Sequence, residues 1–510
     1  MGYLPLANWD YDWEGDDFIM VGTNKLIIYQ AYMGSFFGEL SGDGHNFIDV
    51  DKKLDYLKIL GINAMELILE SFQTRIPSGS QDREASVSLD QGKYRSIAFA
   101  NLVKKAHARE IGVIMMVDLL HIGPGYLDIW KLYGWPENIK EDFFYDNRLH
   151  VADRKNAVPD FDRPEVRQFV RYYALMWLEK YHCDGIRVKG TDVIGNASGD
   201  DGNVGHGFQL VKEMTGEIKT TYPNKLLIAE DNGKNNFVIE PLVGGGLGFN
   251  VQWDSLFIHN IRYVLARPRD EDRAMQCIVD ALTNTYGKNP FSRVVYCECD
   301  SETDKGMPRL PEEIHPGRAN SAFAVKRSIL GAVLTLTAPG IPLLFQGQEF
   351  ISPNFFVGNG QPDWDTMADL NGVQQLFGDL IKLRKSDYND YAGLQGDQLD
   401  FLHFNQQDNI LVYQRSHKDH SGHRVMVAIN LSYVDYEKYV IGLNEKGKWK
   451  LIFNSSSKIY DGSNTADTFL IIKDFIAKEK PYDGLPYRGS FPLPAYSALL
   501  FTHYDAGAGK

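Results

Sequence analysis

Apolar residues fall in two rhythms along this chain, and the rhythm changes near residue 390. Upstream, short apolar runs ending in polar residues alternate with stretches whose apolar positions recur every three or four residues. Runs of the first kind predict buried strands and stretches of the second kind predict helices. "KLIIYQAYMGSF" is followed by a helical pattern from Val50 to Leu60, "INAMELI" by "FANLVKKAHARE", and "GVIMMVDLL" comes next. After Leu120 the alternation pauses for a segment rich in Gly, Pro and aromatic residues. It resumes with "RPEVRQFVRYYALMWLEKYH", where Val166, Phe169, Val170, Tyr173 and Trp177 keep helical spacing behind Asp162 and Pro164. There follow "DGIRVK", a helix near Phe208 to Thr221, "KLLIAE", "FNVQWD" with a helix, "RVVYCEC", a long helix from Ala319, "IPLLFQGQEF" and a last helix near Val373 to Lys385.

Counting these runs predicts a (β/α)8 TIM barrel, in which strand C-termini carry the chemistry, with a short loop module after strand 3. From about Asp390 the texture becomes short alternating runs such as "NILVYQRSH", "HRVMVAINLS" and "GKWKLIFNSSS", the pattern of an all-β domain. The expected organisation is an N-terminal extension over 1–24, the barrel over 25–389 with a reduced insertion at 121–163, and an antiparallel β-domain over 390–510. Because no Pro/Gly/Ser-rich spacer separates Leu383 from Leu399, the β-domain is expected to pack on the barrel.

Composition narrows the partners. Hydrophobic residues at 44% and charged residues at 24% are those of an ordinary globular protein. A net charge of -14 argues against nucleic acid and anionic membranes, which call for a basic patch. The opening "MGYLPLANWDYDWEGDD" lacks a basic and apolar leader pattern, and Leu6 stands where a myristoylation signal needs Ser or Thr, so an intracellular protein is expected. "GAVLTLTAPGIPLLF" is interrupted by Pro339 and Gly340 and predicts no membrane insertion. Four cysteines are too few for a disulfide scaffold. Cys297 and Cys299 would put both sulfurs on one face of a strand, but without a second ligand pair they are read as packed thiols. No metal and no cofactor are expected.

"KLDYLKILGINAMEL", "FDRPEVRQFVRYYALMWLEKYHCDGIRV", "LLIAED", "RVVYCE", "EEIHPG" and "TAPGIPLLFQGQEF" occur in an order and spacing that resemble the α-amylase family of glycoside hydrolases. Within it, the bacterial branching-enzyme and trehalohydrolase-like branch is the nearest. The resemblance covers about residues 26 to 505, and the carbohydrate-binding β-domain usual in branching enzymes has no counterpart before Lys25. It implies a retaining mechanism run by carboxylates after strands four, five and seven, with nucleophile and acid about 5 to 5.5 Å apart.

Carried over position by position, the family's strand-four Asp-Gly-x-Arg-x-Asp falls on Asp184, Gly185, Arg187 and Lys189. The resemblance therefore implies that Lys189 replaces the nucleophile, while Glu230 in "LLIAED" retains the acid position. The strand-seven Ser-His-Asp-Glu falls on Cys299, Asp300, Ser301 and Glu302, so Asp300 replaces a sugar-binding His and Ser301 the stabilising Asp. Asp118 and His121 are what remains of the strand-three pattern, and Gln81 stands where a Tyr usually stacks on the sugar. Arg187, His121, Asp118, Gln81 and Asp300 thus form a degenerate substrate-binding set. Because residues alternate along a strand, Asp300 is expected to point to the face opposite Ser301. Asp192, just past Lys189, is read as a helix cap or loop brace.

These losses predict a catalytically inactive α-amylase-like protein acting as a structural, assembly or regulatory element with protein partners. One alternative is an α-glucan-binding protein without hydrolysis, with Trp130, Trp135 and Phe143 as stacking aromatics. The other is an active α-1,4-glucan hydrolase or transferase with unusual residues. A lysine at the barrel mouth would face a desolvation cost of several kcal/mol without a counter-charge, so an ion pair between Lys189 and Glu230 is expected.

Overall fold

The structure is a computed structural model that describes residues 11–37, 47, 49–68, 92–120, 159, 161–196, 205–233, 236–304, 306–353, 371–385, 392–418, 424–460 and 471–504. Eight parallel strands close into a barrel in chain order, with β8 pairing back to β1. They are β1 (Ile28–Tyr32), β2 (Ala64–Ile68), β3 (Gly112–Asp118), β4 (Gly185–Lys189), β5 (Leu226–Ala229), β6 (Val251–Trp253), β7 (Arg293–Val295) and β8 (Ile341–Phe345).

A parallel sheet is covered on both faces, which is why these strands read as nearly continuous apolar runs. Ile28, Ala64, Ile114, Ile228, Val251, Val294 and Leu343 fill the barrel. Tyr29, Met65, Met115, Ile186, Leu227 and Leu344 instead join the core beneath the surrounding helices. Those helices include Val50–Leu60, Gly92–His107, Pro164–Glu179, His206–Thr221, Ser255–Ala266, Ala322–Thr337 and Asn371–Lys385. Pro164 takes the first turn of its helix, where its missing N–H costs nothing. The helix expected from Ala319 begins at Ala322, because Ser321 caps it by accepting from the Ala324 amide at 3.2 Å. Between β5 and β6 the described residues form only two single-turn 3-10 segments, Asn236–Val238 and Leu242–Gly244.

Strand β7 stops at Val295, and a short helix over Asp300–Asp304 begins four residues beyond Tyr296. This corrects the expectation for the cysteine pair. Cys297 packs outward among the helices, Cys299 packs inside the barrel, and both are buried free thiols.

The C-terminal region forms a sheet in the order β14-β13-β16-β11-β10-β9, faced by a β12-β15 pair. Its strands are β9 (Gln398–Asn405), β10 (Ile410–Ser416), β11 (Arg424–Asn430), β12 (Tyr436–Leu443), β13 (Gly447–Asn454), β14 (Phe475–Ala477), β15 (Tyr487–Leu493) and β16 (Ser497–Tyr504). The period of two divides it cleanly. Leu411, Tyr413, Val425, Val427 and Leu500 merge with the core around the barrel, whereas Ile410, Val412, Met426, Leu499 and Phe501 pack against β12 and β15.

The β-domain therefore sits on the barrel, as the missing spacer predicts. The seam is also polar. Three buried arginines converge on the turn between the Ala322–Thr337 helix and β8: Arg415 Nη1 donates to Thr337 O, Arg384 to Ala338 O and Gly340 O, and Arg293 Nε to Pro339 O at 2.9 Å. Among the described residues no helix is long and apolar enough to cross a membrane.

Candidate functional site

At the C-terminal mouth of the barrel, polar side chains from five strand ends meet around one guanidinium. Arg187, on β4, is completely buried. Its Nη1 donates to Glu230 Oε2, its Nη2 donates to Asp300 Oδ2 at 2.8 Å, and its Nε lies 2.7 Å from Glu66 Oε1 in an ion pair too bent for a hydrogen bond. The guanidinium also stands 4.5 Å from the centre of the Trp253 ring. Planarity and a forked donor set allow a single arginine to hold carboxylates from three strand ends.

Gln30 of β1 completes the ring. Its Nε2 donates to Glu66 Oε1 at 3.1 Å and to Asp300 Oδ1 at 2.8 Å, while its Oε1 accepts from the Asp300 amide at 2.8 Å. Ser301 Oγ donates to Glu230 Oε1 at 2.6 Å. Both oxygens of Glu230 are thus engaged, one by a cation and one by a hydroxyl.

The electrostatics follow from this packing. Burial pushes the Glu66 carboxyl up to about 7, against the pull of Arg187, and Asp300 adds to the rise. Burial likewise raises Glu230, again opposed by Arg187 and reinforced by Asp300, with Lys189 drawing it down. Asp300 goes the other way: burial pushes it up, but the charges of Arg187 and Lys189 and the bonds from Arg187 and Gln30 outweigh that. The site thus lowers Asp300 while raising its two carboxyl neighbours.

One expectation is corrected. Asp300 does not turn away from Ser301, for both reach the Arg187 cluster. The strand has ended by then, and alternation does not apply to the first turn of a helix. Arg187 is hydrogen-bonded to Glu230, and the charge of Lys189 acts on both Glu230 and Asp300. A residue two positions earlier on the strand points into the barrel at the same height as the carboxylate.

Asp118 ends β3 as the Cα partner of Lys189, and its Oδ1 accepts from the Leu120 amide at 3.0 Å, bracing the loop. Asp192 lies in the first turn of the short helix Thr191–Asn196, and its charge joins burial in pushing Asp231 up to about 6. Gln81, His121, Trp130, Trp135 and Phe143 lie outside the described residues. Sequence reasoning missed Gln30, Glu66 and Trp253. The first two were visible as polar interruptions in "IIYQAY" and "NAMELI".

The architecture is a closed parallel barrel whose mouth gathers carboxylates around an arginine, followed by an antiparallel β-domain packed on its side. Residues 402–504 match the family model described as the alpha amylase, C-terminal all-beta domain. The 1,4-alpha-glucan branching enzyme GlgB of Picrophilus torridus is 25% identical over 517 residues, covering 98% of this chain and 69% of the relative. That of Salinibacter ruber is 24% identical over 96% of this chain and 79% of the relative. Among solved structures, a debranching enzyme from Nostoc punctiforme superposes with a TM-score of 0.67 at 16% identity, covering 95% of this chain and all of the other. An alpha-amylase from Geobacillus thermoleovorans gives 0.64 at 17%, covering 95% and 99%. The chain is an α-amylase-family protein.

Proposed function

We propose that this family member is catalytically silent and serves inside the cell as a structural, assembly or regulatory element with protein partners. The observation that carries the reading is the engagement of Glu230, whose two oxygens are taken by Arg187 and Ser301. Lys189 stands where the family's nucleophile is expected, and an ammonium cannot form the glycosyl ester that a retaining mechanism passes through. Ser301, in the place of the stabilising Asp, spends its hydroxyl on Glu230 rather than on a sugar. The test is turnover of soluble starch and maltooligosaccharides, and branching of amylose, by the purified chain. No rate above that of Glu230→Gln is expected; a clear rate that this substitution abolishes would overturn the proposal.

One observation favours a second reading, an active hydrolase or transferase. Glu230 is raised and Asp300 lowered, and such a divergence is what an acid and its ionised partner need. The same assay decides between the two. The names of the branching-enzyme relatives keep a glucan-binding role as the third reading, which retention on glycogen would support.

A further inference from the structure

At the opposite end of the barrel, residues 11–22 cross the N-terminal floor with no strand or helix of their own. Their hold on the body comes chiefly from side chains. Tyr11 donates to Asn101 Oδ1 at 2.5 Å, and Lys104 Nζ donates to the Asp12 carbonyl at 2.8 Å. Trp13 stacks on the His182 ring at 4.0 Å, and Phe18 on the His107 ring at 4.7 Å. Met20 packs under the barrel interior, close enough to the first residue of β3 that a Cβ on Gly112 would lie 2.9 Å from its sulfur. A segment held this way, without ladder hydrogen bonds, belongs among the elements that open at the lowest free energy.

The centre of the attachment is Asp16, whose side chain is almost wholly buried. One oxygen lies 2.7 Å from His107 Nδ1 and the other 3.3 Å from His182 Nδ1. The remaining nitrogen of His107, Nε2, lies 2.9 Å from Asp184 Oδ2, which also accepts from the Val113 amide. A neutral imidazole has one N–H, so it can donate to only one of two carboxylates; the imidazolium satisfies both.

We propose that residues 11–22 are a pH-sensitive strap, latched to the barrel floor by a protonated His107 bridging Asp16 and Asp184. The charged groups facing His107 are Asp16 from the strap, Asp184 ahead of β4, Lys225 ahead of β5 with its Nζ 3.3 Å from Asp184, and His182. Burial draws the His107 pKa down, but the bond and charge of Asp184 and the charge of Asp16 carry it above the ordinary 6.5. Burial lowers His182, with Asp16 opposing, so it is neutral where His107 titrates. The latch is therefore complete below about pH 6.5 and is lost as pH rises through the raised value of His107. Release uncovers Met20 and the floor, at the far end from Glu230.

Hydrogen-exchange protection of peptides spanning residues 11–22, corrected for intrinsic exchange rates, is measured between pH 6 and 9 in the full chain. Protection in the unsubstituted protein should fall at least about tenfold across the range, as expected for a locally opening segment, while β4 stays protected. Asp16→Asn, which leaves the barrel core untouched, and His107→Gln should both give weak protection that does not change with pH. His182→Gln should keep the pH response. Constant protection in the unsubstituted protein, or an unaltered pH response in Asp16→Asn, would overturn the latch.

Discussion

Arg187 Nη1 and Glu230 Oε2 are hydrogen-bonded inside the barrel mouth, and the neighbouring Nη2 holds Asp300 at 2.8 Å. One guanidinium therefore ties β4 to the chain segments that leave β5 and β7. Arg187→Met would strand three buried carboxylates around an apolar side chain. Removing one partner from a buried ion pair costs about 3 to 5 kcal/mol, so a large drop in the urea midpoint is expected. A midpoint within error of the unsubstituted protein would show that the cluster does not contribute.

Glu66 makes stability depend on pH with a definite sign. Its carboxyl rises from 4.5 to about 7 on folding, so between those values the folded chain binds a proton that the unfolded chain has released. Stability then falls as pH rises through that window. Asp300, lowered from 3.8, contributes in the opposite sense and only in acid, losing its contribution as pH drops through its folded value. Glu66→Gln should remove a decline of about 2 to 3 kcal/mol between pH 5 and 8, at 1.36 kcal/mol per unit. Parallel urea-midpoint profiles for the two proteins would count against this.

Restoring carboxylates at Lys189 and Ser301 together is not expected to return an active enzyme. Asp300 would still hold Arg187, and a new Asp at 301 could no longer donate to Glu230 and would instead repel it. A misplaced substrate by about 1 Å costs on the order of a hundredfold in rate. Robust maltooligosaccharide hydrolysis by the double variant Lys189→Asp, Ser301→Asp would show that two residues alone separate this chain from an enzyme.

The seam between barrel and β-domain should resist separation. Arg415 donates from each of its three side-chain nitrogens, to the Gln398, Thr337 and Gly396 carbonyls, all within the protein. Arg415→Met takes this donor from the buried Thr337 and Gly396 carbonyls, and with charged hydrogen bonds worth about 1.5 to 3 kcal/mol each before compensation, a loss of about 2 to 4 kcal/mol is expected. Limited proteolysis of the unsubstituted chain should release no stable barrel ending near residue 390; such a fragment would contradict the shared core.

Hydrophobic rhythm made most of the fold legible, because parallel strands covered on both faces and helices covered on one leave different periods. The runs around Ile28, Met65, Ile114, Ile186, Leu227 and Leu343 all became barrel strands. The site was less legible. Position-by-position comparison located Lys189, Glu230, Asp300 and Ser301, but it assumed that strand geometry persisted through residue 301. The early end of β7 at Val295 let two successive residues reach one cluster. Gln30 and Glu66 were missed for another reason: their roles come from pairing across the barrel, and nothing local to either strand announces partners that lie from 36 to 270 positions away.

The grip of three arginines on the turn at Thr337–Gly340 also sets an order of events during synthesis. β8 closes the ring by pairing with β1, and the turn that delivers it is held by Arg415, carried on β10. A nascent chain that has presented β8 but not yet β10 must keep the Thr337 carbonyl without its donor, and its outer apolar surface lacks Leu411, Tyr413 and Val427. Stable ring closure is therefore expected to wait for sequence that leaves the ribosome some seventy residues later, the distance from Phe345 to Arg415. Ribosome-stalled chains with Arg415 still inside the exit tunnel should be digested by protease as open barrels, and those with the β-domain fully emerged should not.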